Sequence, residues 1–175
     1  MWIAGLLDLA LATSQPEVLY VDAAHTTGVT MQSPLAAGTT YLVQIRGTIS
    51  KWSPRAMTKM CAGTANAAPD FPSADVTGPA SVDAEWVWAW PVGSPTLCPR
   101  GKSSSSPPVS ERTVLMSLGP NGPPAHLPPP VESAMTPNHT YTYRVVGQGA
   151  PAVFLVKDDH YKDNYGQFQI TITAE

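Results

Sequence analysis

Apolar residues in this chain recur with a period of two, in short runs closed by Gly, Pro, Asn or Asp, and sustained helical periodicity is scarce. Successive side chains of an extended strand point to opposite faces, so such runs bury one face and leave the other in water. Residues 18–22 and 39–47 read as strands, with Tyr41, Val43 and Ile45 on one face of the second and Thr40, Leu42, Gln44 and Arg46 on the other. After Gly47 come further runs at 48–52, 86–90, 113–118, 140–146, 152–156 and 166–173. On the last, Phe168, Ile170 and Ile172 face inward while Gln167, Gln169 and Thr171 face outward. Trp86, Trp88 and Trp90 share one face of their strand and read as core, since such rings bury a large apolar area. Many short strands separated by turn signals predict an all-β sandwich or barrel.

A chain of 175 residues suits one domain, taken as residues 1–175 with 1–16 as an N-terminal arm. Segments 53–83, 91–110 and 119–138 lack strand patterning and read as long surface loops. Ser103 to Ser106 followed by Pro107 and Pro108 is flexible and then stiff, and Pro123, Pro124 and Pro128 to Pro130 favour polyproline II. Loops of this length are usually functional or disordered, which favours an interaction surface over a plain scaffold. Lys plus Arg is 10 against 13 Asp plus Glu, and the cations are scattered, so no nucleic-acid partner is expected. The apolar stretch 2–12 is broken by Asp8 and falls short of the roughly 20 residues of a membrane-spanning helix, so no membrane insertion is expected. It also lacks the basic start of an export signal. Cys61 and Cys98 suit one bridge or two buried thiols equally, and neither has metal-ligand spacing.

The richest chemistry lies in residues 157–166, where Asp158, Asp159, Asp163 and Asn164 crowd into one inter-strand loop and Gly166 turns the chain into the last strand. Carboxylate, amide and backbone oxygens of this kind hold Ca²⁺. Asp and Asn also occupy turns because they hydrogen-bond their own backbone, and both readings stand at this point. The common catalytic signatures are absent, so no enzyme is expected. Asp83 and Glu85 share a strand face and read as solvated positions opposite the core, not as a glycosidase pair. His25, His126, His139 and His160 lie in or beside loops and read as exposed.

Residues 140–173, read as strand, Gly-containing turn, apolar strand, the loop Asp158 to Gly166 and a final strand, resemble the C-terminal half of the calcium-dependent galactophilic bacterial lectins (PA-IL-like). Residues 38–52 are similar to that family's early pair of Gly-bounded strands. The resemblance implies a jelly-roll-like, galactose-binding-like antiparallel β-sandwich whose calcium coordinates sugar hydroxyls. Carried over by position, the metal ligands are Asp158 or Asp159, Asp163, Asn164 and the backbone carbonyls of His160 and Leu35. The sugar would meet Asp163 and Asn164, with Trp52 and Tyr165 as its aromatic contacts. The loop is shorter than the family's, and the family's sugar-contacting residues after the early strands have no counterpart between Ser53 and Cys61. The expected function is non-enzymatic, lectin-like adhesion to a glycan or cell-surface saccharide, outside the cell or on a phage virion surface. The alternative is a structural virion subunit, a tail or capsid-decorating protein, that attaches to other protein subunits in an oligomer or virion.

Overall fold

The computed structural model describes residues 15–51, 81–89, 109–119, 121–159 and 161–175. In chain order the strands are β1 (Glu17–Asp22), β2 (Val29–Thr30), β3 (Thr40–Arg46), β4 (Ile49–Ser50), β5 (Ser81–Val82), β6 (Trp86–Ala89), β7 (Val109–Ser110), β8 (Val114–Leu118), β9 (Ala125–His126), β10 (Thr140–Val146), β11 (Ala152–Val156) and β12 (Tyr165–Ala174), with a 3-10 turn at Tyr161–Asp163. The alternating runs form strands because that spacing alone gives each a fully apolar face.

One antiparallel sheet runs β10-β3-β12-β4-β5-β6-β7 with β1 also paired to β12, and a second runs β2-β11-β8-β9. Val21, Val43, Ile45, Tyr141, Tyr143, Phe168 and Ile170 of the first sheet are fully buried, as are Phe154 and Val156 of the second. Removing each of these side chains from water contributes about 1.5–3 kcal/mol. Both sheets are antiparallel and bury one face, so the all-β sandwich expected from the alternation is the fold observed.

Two of the segments read as surface loops are in part built into the body. The first ends in β5, and Asp83 beyond it is 0% exposed. Within the third, β9 pairs with β8 and Leu127 is buried. Val131 donates its N–H to the Thr142 carbonyl at 2.8 Å. The Glu132 carboxylate accepts the Thr142 N–H at 2.7 Å and its hydroxyl at 3.0 Å. This segment therefore straps the free edge of β10, whose unpaired backbone groups would otherwise invite another chain. Trp86 packs against the core. Trp90, Cys61, Cys98 and Ser103 to Pro108 lie outside the described residues, as does the side chain of Trp88.

Strand pairing gathers the chemically distinctive residues at one end of the sandwich. Val114, opening β8, lies opposite Val156, closing β11, and Thr140, opening β10, lies opposite Arg46, closing β3. Arg46 also faces Gln169 of β12, so the loop before β12 emerges at that end too. At the other end, Gly149 donates to the Leu35 carbonyl at 2.8 Å and Leu35 bridges to Ala150.

Gly28 and Gly38 both hold left-handed backbone, with φ of 72° and 78°. A Cβ on Gly28 would lie 2.4 Å from the Phe154 carbonyl oxygen, whereas one on Gly38 meets nothing within 4 Å. Gly38→Ala should therefore cost about 1–2 kcal/mol of conformational strain. Gly28→Ala should cost at least about 1 kcal/mol more from overpacking, a difference that denaturant unfolding of the two variants will show.

Candidate functional site

The loop between β11 and β12 is short and tied down at several points. Tyr161 donates its hydroxyl to the Val156 carbonyl at 2.9 Å, closing the loop on itself. Asn164 donates its backbone N–H to the Tyr161 carbonyl at 3.2 Å, and its side-chain Nδ2 to the Ala23 carbonyl at 2.8 Å. Ala23 in turn donates to the Gly166 carbonyl at 2.9 Å, where Gly166 holds φ of 94°. These bonds fix the Asn164 amide: the atom facing a carbonyl must be nitrogen, so the other is the oxygen. That Oδ1 is buried and has no hydrogen-bond partner among the described residues.

An acceptor left open on a residue only 7% exposed is costly unless something fills it. Asp158, half-buried in the same loop, accepts the Asp159 N–H on Oδ1 at 2.6 Å, and Asp159 is exposed. Tyr165 is half-buried and opens β12 opposite Ser50. Asp158, Asp159 and Asn164 thus lie in the one loop, and Tyr165 opens the strand that follows it. Asp163 closes its 3-10 turn, but the Asp163 side chain, His160 and Trp52 lie outside the described residues. Among the described residues no three His, Cys, Asp or Glu side chains form a metal-binding group.

Leu35 does not join this loop. Tyr41 of β3 pairs with Ala174, at the far end of β12 from Tyr165, and Leu35 precedes that end of β3. A ten-residue strand spans roughly 30 Å, and the Leu35 carbonyl is already occupied by the Gly149 N–H. Leu35 is therefore removed from the set of candidate ligands.

A second polar constellation departs from the sequence reading. Asp83 and Glu85 do not face solvent; they are 0% and 7% exposed. Asp83 Oδ1 accepts the N–H groups of Glu85 at 2.9 Å and Trp86 at 2.6 Å, which shapes the tight turn between β5 and β6. Its Oδ2 accepts the Tyr141 hydroxyl at 2.7 Å and lies 3.0 Å from His139 Nδ1. Glu85 Oε1 accepts the Tyr143 hydroxyl at 2.8 Å. His139, read as exposed, is thus half-buried against a carboxylate. Tyr141 and Tyr143 stand two apart in the run 140–146 and so share one strand face, and a buried phenol requires a partner for its hydroxyl. That requirement was the available signal.

Burial raises the pKa of Glu85 above the ordinary carboxylate value; the Tyr143 hydrogen bond and the Arg112 charge oppose the rise, and Asp83 adds to it. Burial likewise pushes both tyrosine hydroxyls far up, so they remain neutral donors. The oxygens of Asp83 are all engaged in the frame, which leaves that carboxylate unavailable as an acid or base toward a substrate.

With this geometry in hand, comparison with known proteins finds one informative likeness. No family model matches the chain, and no curated protein matches it. Among solved structures, the chain is similar to the N-terminal domain of EclA, described as a PllA-like lectin, with a TM-score of 0.51 and 17% identity. The match covers 90% of this chain and 95% of that one. The shared feature is the fold, an antiparallel β-sandwich.

The raised pKa of Glu85 has a definite sign. The folded state holds the proton more tightly than the unfolded state does, so acidification through the raised folded value, down to 4.5, favours folding as far as this group is concerned. Glu85→Gln removes that contribution. As pH falls from about 7 toward 4.5, the wild-type chain should gain stability relative to Glu85→Gln, measured by urea unfolding at each pH.

Proposed function

We propose that this chain is a non-enzymatic carbohydrate-binding domain of the lectin type, whose site is the loop between β11 and β12 and whose binding is assisted by calcium. The observation that carries the reading is the Asn164 amide, oriented by its bond to Ala23 and left with a buried oxygen that has no partner among the described residues. An amide oxygen beside carboxylates is a donor set for a hard cation, and Asp158 and Asp159 supply carboxylates in the same loop. Asp163, next to Asn164 in sequence, would add another. The lectin-like fold supports the same reading, although a fold alone hosts many functions.

In this reading Asn164, Asp158, Asp159 and Asp163 would hold the ion, which when bound supplies a Lewis-acidic centre for sugar hydroxyls. The protein's own part is positional. The Tyr161–Val156 and Asn164–Ala23 bonds keep the loop in one shape, so its oxygens need little reordering when a ligand arrives. Tyr165, where the loop enters β12, offers an aromatic face beside those oxygens.

Saturating Ca²⁺ should raise the melting temperature by about 5–10 °C, because a ligand that binds only the folded state at a hundred times its Kd adds about 2.7 kcal/mol. The rise should vanish in Asp158→Ala and in Asp163→Ala, and glycan-array binding should be lost on adding a chelator. A melting temperature indifferent to Ca²⁺ would leave these side chains as ordinary turn formers.

A further inference from the structure

We infer that the rim of this site carries a subsite for the acid group of a saccharide, formed by Arg112, His126 and Lys157; the inference rests on the carbohydrate-binding reading and specifies its ligand. The three residues come from three segments that pairing brings to one end of the second sheet. Lys157, first residue after β11, donates its N–H to the Thr113 carbonyl at 2.7 Å. Arg112 precedes Thr113, and its guanidinium donates to the Leu127 carbonyl. His126, beside Leu127, lies opposite Leu115 of β8. Arg112, Leu127 and Lys157 are thus bonded directly or through Thr113, with His126 as the next residue outward.

Two further observations single out this rim. Thr113, whose backbone links Arg112 to Lys157, has a fully buried Oγ1 with no hydrogen-bond partner among the described residues. Arg112 itself holds φ of 51°, a left-handed conformation that costs a long side chain energy and recurs where geometry serves a function. His126 and Lys157 are exposed, and neither forms an ion pair among the described residues. Two neighbouring cations, only one of them offset by a buried carboxylate, favour an anion between them.

The surrounding charges define its size. Glu85 offsets Arg112 from the core side, and Asp158 and Asp159 follow Lys157 into the proposed cation site. Burial, followed by the charges of Lys157 and Arg112, holds the His126 pKa below its usual value, while a contact with the Arg112 backbone works the other way. Near neutral pH the ring is therefore mainly a hydrogen-bond partner beside two cations. Two cations are too few to follow a polyanion backbone, but they suit one carboxylate or sulfate. Its position next to a loop of hydroxyl-coordinating oxygens selects a sugar that carries both kinds of group, such as a uronate or a sulfated residue.

The test uses the full chain on an array pairing neutral glycans with their uronate and sulfated counterparts, in Ca²⁺, with inorganic sulfate as a soluble competitor. Acidic members should bind about fivefold to tenfold better than their neutral parents, and Lys157→Gln and His126→Gln should each reduce that ratio while keeping a cooperative melt. Raising the salt should shrink the ratio as well. Equal binding of acidic and neutral pairs would overturn the acid subsite and leave carbohydrate binding intact. Preference that survives both substitutions, or that sulfate alone abolishes at concentrations equal to the glycan's, would place the anion elsewhere and also overturn it. Silence across the whole array would overturn the carbohydrate-binding reading itself.

Discussion

Two carboxylates buried against two tyrosine hydroxyls determine where the β5–β6 hairpin sits. Tyr141 and Tyr143 stand two residues apart on the inner face of β10, and Asp83 and Glu85 stand two residues apart on the hairpin. Both hydroxyl–carboxylate bonds span the same sequence separation of 58 residues. The two pairs therefore run in step, and displacing the hairpin by one residue would leave both acids buried without a donor. Desolvating a carboxylate costs several kcal/mol, and its hydrogen bonds offset that cost only in one arrangement. The interaction contributes more to register than to net stability, as a fully satisfied buried polar network does.

That arrangement extends toward the loop that carries the candidate chemistry. The Ala84 carbonyl, between the two acids, accepts the Thr113 N–H at 2.8 Å, and the Thr113 carbonyl accepts from Lys157 at 2.7 Å. Lys157 is the residue from which the Asp158–Asn164 loop departs. The two non-glycine residues with left-handed backbone among those described, His139 and Arg112, flank this path, one against Asp83 and the other bonded through its N–H to the Glu85 carbonyl. Strain of about 1–3 kcal/mol at each persists only where neighbours over-determine the conformation. The hairpin, the start of β8 and the loop thus behave as one braced end of the sandwich.

The regular part of this structure was legible in the sequence because alternation is a local signal. Val43 and Ile45 on β3, and Phe168, Ile170 and Ile172 on β12, sit inward as their spacing requires. What failed was the reading of polar residues, whose burial depends on partners far along the chain. Asp83 and Glu85 look solvated until Tyr141 and Tyr143 are known to face them, and residue spacing carries no trace of a contact between chain segments that distant. The segment 119–138 looked like a free excursion because Pro-rich chain has no pattern of its own, yet Glu132 and Val131 cover the β10 edge. Leu35 was placed with Asn164 by positional analogy, and strand pairing sets them at opposite ends of β12.

Within this braced end the buried polar atoms divide into two groups, and the division bears on function more directly than the fold does. Asp83 is satisfied on both oxygens, Glu85 by Tyr143, and the donors that face them are neutral phenols pushed far from ionisation. Such groups are already committed to the protein. Among the described residues Asn164 Oδ1 and Thr113 Oγ1 are equally hidden but without a hydrogen-bond partner; Thr113 accepts from Lys157, where the loop begins, and Asn164 closes it. Under the proposed calcium-assisted reading, the open Asn164 oxygen is completed by the ion it would help to hold.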